Sequence, residues 1–233
     1  MQPRTEKGRQ TQAKLLATAL DCFAIEGYRA SSMRVIAANA GVALSHAYYY
    51  FESKEDIVAQ LLLNLRNEQL RLCQDGLDEG NTLETNIRIV LEAGVQSLAP
   101  YHEFGPAFLK LLLSGEHANE EVTKIELMMW EQAVGGARPL PPLGIRRDLP
   151  RFLLLVARQV FTAWAFDQSP EQRRSHTLIK NLAPVVAKFA VLCRLPVVRS
   201  LFEDILSLID PKTAGKMETD HSVSSALKRS KAS

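Results

Sequence analysis

SMRVIAANAGVALSHAYYYF, residues 32–51, is the stretch on which the reading of this chain turns. Met33, Ile36, Ala37 and Ala40 follow one another at helical spacing. Gly41 interrupts them, and a second short helix is expected from about Ala43 to Tyr49. Ala37 is small where two such helices would touch. Gly41 comes four residues later, where a tight turn needs positive φ, and Ile36, Ala40, Val42 and Ala47 are apolar at the inward positions. Two short helices joined by a tight glycine turn make a helix-turn-helix, a unit that places its second helix in the major groove of DNA. An ordinary helical hairpin stays open as the alternative, because an Ala-x-x-x-Gly pair recurs by chance.

Outward from this stretch the periodicity stays helical, and no alternating strand run bounded by hairpin turn residues is found, so the expected fold is all-α. Leu15, Leu16, Ala19, Leu20 and Phe23 form the stripe of a first helix that Gly27 can end. Ser31 or Ser32 caps the second. Ser53 opens a long fourth helix, with Asp56 three residues on and apolar positions continuing through Ile57, Leu61 and Leu65 toward Gly76. After a break at Asp78 to Asn81, helices are expected over 82–98, 102–114 and 118–134. GGARPLPPLG, Gly135 to Gly144, holds three glycines and three prolines and reads as a loop. Two longer helices follow, 148–167 and 171–193, with Pro170 in the first turn of the second and a kink expected at Pro184, then a last one over 197–209. The polar sequence after Pro211 lacks apolar periodicity and reads as disordered. The domain organisation is therefore 1–54, a helix-turn-helix domain; 55–210, a helical ligand-binding and dimerisation domain; and 211–233, a basic tail.

Composition agrees with a folded chain. Of 233 residues, 46% are hydrophobic and 23% charged, and the net charge of +2 is too small for a disordered polyelectrolyte. That +2 is unevenly spread: residues 1–54 hold seven basic and four acidic side chains, 55–210 sixteen and twenty, 211–233 five and two. A basic head and tail flank an acidic body. The apolar run Phe152 to Phe166 spans about 15 residues around Arg158, short of the roughly 17 to 25 of a membrane-spanning helix. The polar N-terminus MQPRTEKGRQTQAK lacks the apolar run of an export signal, so the expected location is the cytoplasm. Cys22, Cys73 and Cys193, without a CxxC pair, read as reduced core residues.

The flanks of the opening stretch carry a resemblance. Gly27-Tyr28, Ser31-Ser32, Ile36-Ala37, Ala40-Gly41-Val42, Tyr48-Tyr49-Tyr50-Phe51 and Ser53-Lys54-Glu55 together resemble the N-terminal domain of the tetracycline-repressor (TetR) family of bacterial transcription regulators. The likeness covers about residues 9–60, and the Y-x-Y-F-x-S-K-E ending is its specific part. It implies a three-helix DNA-binding domain followed by helices that dimerise and bind a small molecule, with a four-helix bundle between subunits as the usual interface. Ala43, Ser45 and Tyr49 depart from the common serine or threonine, glycine and histidine of the recognition helix.

Residue chemistry gives the expected contacts. With the third helix in the major groove, Ala43, Leu44 and His46 near its start face base edges, where an apolar side chain meets a thymine methyl; Ser45 lies among them. Tyr48 and Tyr49 reach phosphates, whereas Tyr50 and Phe51 pack between helices. Lys54 offers a cation to the same backbone, and Ser31, Ser32 and Arg34 do likewise from the second helix, with capping the other role open to the serines. Arg4, Lys7 and Arg9 form a basic arm or an unstructured tail.

One such helix reads few base pairs, so a homodimer on a near-palindromic double-stranded operator is expected. Its interface is placed on helices 148–167 and 171–193, which carry Phe152, Leu155, Phe161, Trp164, Phe166, Leu178, Leu182, Val186 and Phe189. For a small apolar or aromatic effector the candidates are Phe104, Phe108, Met128, Met129 and Trp130, with Glu92 and Gln96 to orient a polar group; the same residues also suit a plain core. No nucleophile elbow, phosphate loop, HExxH or Glu-x-x-His pair occurs, and His102, His117, His176 and His221 are scattered, so neither enzyme activity, metal nor cofactor is expected. The expected function is that of a ligand-released repressor. A helical ligand-binding or scaffold protein without DNA affinity is the rival.

Overall fold

The computed structural model describes residues 5–104, 108–109, 112–113 and 119–209. These hold ten α-helices and no strand, as the periodicity requires. The head comprises α1 (Glu6–Glu26), α2 (Met33–Asn39) and α3 (Leu44–Tyr50). α4 (Lys54–Gln74) leads into a body of α5 (Leu83–Leu98), a 3-10 turn (Ala99–Phe104), α6 (Glu120–Gly135), the four-residue α7 (Leu143–Arg146), α8 (Leu149–Ala165), α9 (Arg173–Leu192) and α10 (Pro196–Ile209). No helix among the described residues is long and apolar enough to cross a membrane. The expected disorder of 211–233 falls outside the described residues.

Helix starts follow their caps. The hydroxyls of Ser32, Ser53 and Thr82 accept from the amides of Val35, Asp56 and Thr85, and the Asn119 side chain accepts from Val122. Gly41 has φ +63°, the left-handed turn that its place between α2 and α3 demands. Ser32, not Ser31, therefore caps α2.

α5 is the centre of the body. It packs on α4, α6, α8 and α9, and its buried residues run all round it, from Leu83 and Asn86 to Gly94 and Leu98. A Cβ at Gly94 would lie 2.2 Å from Phe161 Cζ, so glycine is what lets α8 come this close to α5. α4 touches α1 at one end and α5 and α6 along its length, which makes it the rod between head and body.

Three expectations change. Lys7 and Arg9 lie inside α1, capped by Thr5, with Arg9 paired to Glu6; they form no separate arm, and Arg4 lies outside the described residues. Pro170 begins a 3-10 turn in place of α9. Glu171 and Gln172 then adopt positive φ, and α9 starts at Arg173 because Asp167 accepts from the Ser175 amide and hydroxyl (2.8 and 2.6 Å) and the Ser169 amide (2.9 Å). The 135–144 loop ends in α7. α9 continues through Pro184.

Candidate functional site

α3 is held from beneath and open above. Ala47 and Phe51 are fully buried against α1, α2 and α4, and Tyr50 is half-buried. Ala43, Ser45, His46, Tyr48 and Tyr49 are exposed, Tyr49 at 63%, while Leu44 is half-buried. The exposed rings form a ridge: Tyr49 and Tyr50 meet edge-on at 5.2 Å, and His46 sits 5.2 Å from Tyr50. Among the described residues, the ring contacts of His46 and Tyr49 are made within this 7-residue helix. The ridge can accept from and donate to polar edges while its rings cover apolar ones.

Beside it, Ser32 and Arg34 are exposed on α2. Lys14, which the sequence reading passed over, brings its ammonium beside the Gly41 turn. Nothing in the local pattern marks it, since its position arises from α1 crossing the turn. Ser31 and Lys54 are placed elsewhere. Ser31 is buried and donates to Gly27 O (3.0 Å). Lys54 Nζ donates to Tyr28 O (2.8 Å) and Ser31 O (3.3 Å) and lies 4.3 Å from the centre of the Tyr28 ring. Tyr28 in turn donates to Glu55 (2.8 Å); burial, then the hydrogen bond and charge of Glu55, hold its phenol well above the usual range. The Ser-Lys-Glu that looks basic and phosphate-seeking is instead a clamp fixing α4 to the α1–α2 connection.

The effector candidates do not converge on one cavity. Met129, Trp130 and Phe108 are core, Phe104 is half-buried, and Met128 and Gln96 face outward. Glu92 is paired with His176 Nδ1 at 2.7 Å, joining α5 to α9. Phe104 and Phe108 do meet (5.1 Å), and Phe108 reaches Phe23 of α1 at 6.1 Å, so these rings join body to head. The body's polar centre is instead Arg66, Glu126 and Arg158, lining a cavity of about 20 Å³ with Leu62, Leu112, Leu113 and Phe161. Only Arg158, a charge inside the apolar run of 152–166, hinted at it. A wider groove of about 440 Å³ lies between Leu83, Pro139, Pro141, Pro184 and Val191.

The expected interface residues also divide. Phe161, Trp164 and Val186 are core, and Phe152 and Phe189 pack on Phe202 of α10 at 5.3 and 6.4 Å. Leu155 and Leu182 are half-buried, and Phe166 and Leu178 stay exposed, as do Val185 and Leu192, which are not among the expected residues. Among the described residues no group of three or more His, Cys, Asp or Glu could hold a metal ion. His102 instead contacts Trp164 O at 3.2 Å.

Residues 15–61 match the family model of bacterial regulatory proteins, tetR family. The HTH-type transcriptional repressor KstR2 of Rhodococcus jostii is 35% identical over 92 residues, 38% of this chain and 44% of that protein. The chain spans about half the length of the curated relatives it matches, from 44% to 51%. Among solved structures, the fatty acid degradation regulator FadR of Bacillus halodurans superposes with TM-score 0.58 at 18% identity, over 80% of this chain and 97% of that one. The FadR of Bacillus subtilis, in complex with stearoyl-CoA, gives 0.55 at 21% identity, over 77% and 97%. These two likenesses concern the fold, which extends through the body, while the family-model match covers most of the head and the first turns of α4. The helix-turn-helix and the clamp behind it both lie within residues 15–61, the part of the chain that is similar to the tetR family of bacterial regulatory proteins.

Proposed function

We propose that the chain is a sequence-specific DNA-binding transcriptional regulator, a repressor acting in the cytoplasm, that sits as a homodimer on a near-palindromic operator and is released by a small apolar effector. The exposed face of α3 carries this reading. Ala43, Leu44, Ser45 and His46 meet base edges in the major groove, Tyr48 and Tyr49 meet phosphates, and Ser32, Arg34 and Lys14 flank them on the same side. Ser31 and Lys54 support the head from behind.

The dimer is supported by α9. Leu178, Leu182, Val185, Phe189 and Leu192 recur at spacings of four and three, the seam of a helix that packs lengthwise on others, and Leu178, Val185 and Leu192 are exposed. Phe166 at the end of α8 extends the same apolar surface. The stearoyl-CoA of the Bacillus subtilis FadR complex supports an effector with a long apolar chain. An effector that favours a spacing of the two α3 helices unsuited to DNA must itself be weakened by operator DNA to the same degree.

Selection of genomic fragments on the purified protein tests the reading. Wild type is expected to enrich a near-palindrome, with affinity falling steeply as salt rises. Tyr49→Ala should bind that sequence about tenfold more weakly, the loss of one hydrogen bond to a charged phosphate. Enrichment of no near-palindrome by either protein would defeat the proposal and favour a scaffold without DNA affinity.

A further inference from the structure

Three charged side chains meet inside the body. Arg66 of α4, with 4% of its side chain exposed, places Nε 2.9 Å from Glu126 Oε1 of α6, and Arg158 of α8 places Nη2 3.4 Å from Oε2. Arg66 Nη1 donates to Gln69 Oε1 (2.6 Å), whose amide nitrogen donates to Val90 O (3.0 Å). Two guanidiniums thus share one carboxylate. Among the described residues the adjoining cavity is otherwise lined by Leu62, Leu112, Leu113, Val122, Leu154 and Phe161, and none of these is a second acid. The two guanidiniums outnumber the carboxylate, Arg158 being 35% exposed and Arg66 buried, and the Arg66 Nε–H, although close to Glu126, is angled so that it makes no hydrogen bond. A structural ion pair would need only Arg66 and Glu126; Arg158 adds a second, partly exposed guanidinium that this pair does not require. Burial accordingly pushes the Arg66 guanidinium down, against the pull of Glu126.

We infer that Arg66 and Arg158 form the anion-reading end of the effector site, and that the effector is a monocarboxylate with an apolar body. This rests on the ligand-released reading above and names its ligand class. A carboxylate matches the planar fork of a guanidinium, and its arrival brings the cluster to neutrality. The apolar body lies along Leu62, Leu154 and Phe161. A cavity of about 20 Å³ holds one water-sized group, so such a ligand enters only by displacing Leu112 and Leu113. Phe108, four residues before Leu112 in the chain, meets Phe23 of α1 at 6.1 Å, so displacement of Leu112 acts beside the contact that joins body to head.

Calorimetric titration of the full chain tests this with three probe series: straight-chain carboxylates of increasing length together with phenylalkanoates, the matching primary alcohols, and the matching acyl-CoA thioesters. At least one carboxylate is expected to bind about tenfold or more tightly than its alcohol, as a charged hydrogen bond predicts. Arg158→Gln should abolish that preference. Glu126→Gln removes the competing anion and should tighten the carboxylate, the opposite of what a merely structural ion pair would give. If Glu126→Gln fails to fold, Arg158→Gln, altering a partly exposed side chain, decides alone. Absence of carboxylate binding, equal binding of the alcohol, an unchanged preference in Arg158→Gln, or binding by the thioesters only would each overturn the inference. Operator binding by wild type is measured in parallel. Its absence would defeat the regulator reading, whereas its presence without carboxylate binding sinks the carboxylate alone.

Discussion

Lys54 and Tyr49 lie close in the sequence and do opposite work. Lys54 is half-buried, with its ammonium on two carbonyls and an aromatic face; Tyr49 is exposed, its ring beside those of His46 and Tyr50 on α3. Replacing Lys54 by Met leaves the Tyr28 and Ser31 carbonyls without their donor and should lower stability by about 1–3 kcal/mol, measured by urea denaturation. The salt dependence of operator binding should stay as in wild type. An unchanged stability with a salt slope lower by about one would instead return Lys54 to the phosphate backbone. Both residues belong to one motif legible in the sequence. What the string does not show is the direction of each side chain. Lys54 looks like a surface cation until α4 is packed against the α1–α2 connection.

The junction of α8 and α9 shows how an element boundary is set. Ser169-Pro170 is a sound local start signal, yet the helix begins at Arg173, because the buried Asp167 carboxylate gathers the Ser169 and Ser175 amides and the Ser175 hydroxyl. Burial by itself would raise this carboxyl, but the hydrogen bonds from Ser175 and Ser169 outweigh it and hold the group well below the usual carboxylate range. A depressed acid stabilises the fold above its unfolded value of about 4, and the contribution fades as pH falls below that toward the folded value. Asp167→Asn should therefore cost about 1–3 kcal/mol at neutral pH. The gap to wild type, followed by thermal melting, should narrow only below about pH 4. A gap that stays constant down to pH 2 would show that the ionised form is not what matters.

At the scale of the molecule, α5 ties the body together, α4 and the Phe23–Phe108 contact carry the head, and the apolar surface of α9 lies open. Val185→Glu, at 60% exposure, should leave the fold intact and convert a dimer to a monomer in sedimentation velocity, with operator affinity falling far more than for a single lost contact. A variant that stays dimeric would move the interface off α9. The all-α class, the helix-turn-helix and its Gly41 turn, the break before α5 and a loop between Gly135 and Leu143 were all readable from the chain itself. They rest on period, caps and backbone allowance, which are properties of neighbours along the sequence. The places that went unread are those where distant segments meet. Lys14 beside Gly41, the Lys54 clamp, the Phe23–Phe108 contact and the Arg66–Glu126–Arg158 cluster each join helices far apart in the chain. Aromatics at helical spacing look alike whether they line a pocket or fill a core, so Trp130 and Met129 read as ligand candidates and lie buried in the core. Periodicity fixes which face of a helix turns inward. Only tertiary packing decides what that face meets there, because burial and pairing depend on segments the local pattern cannot place.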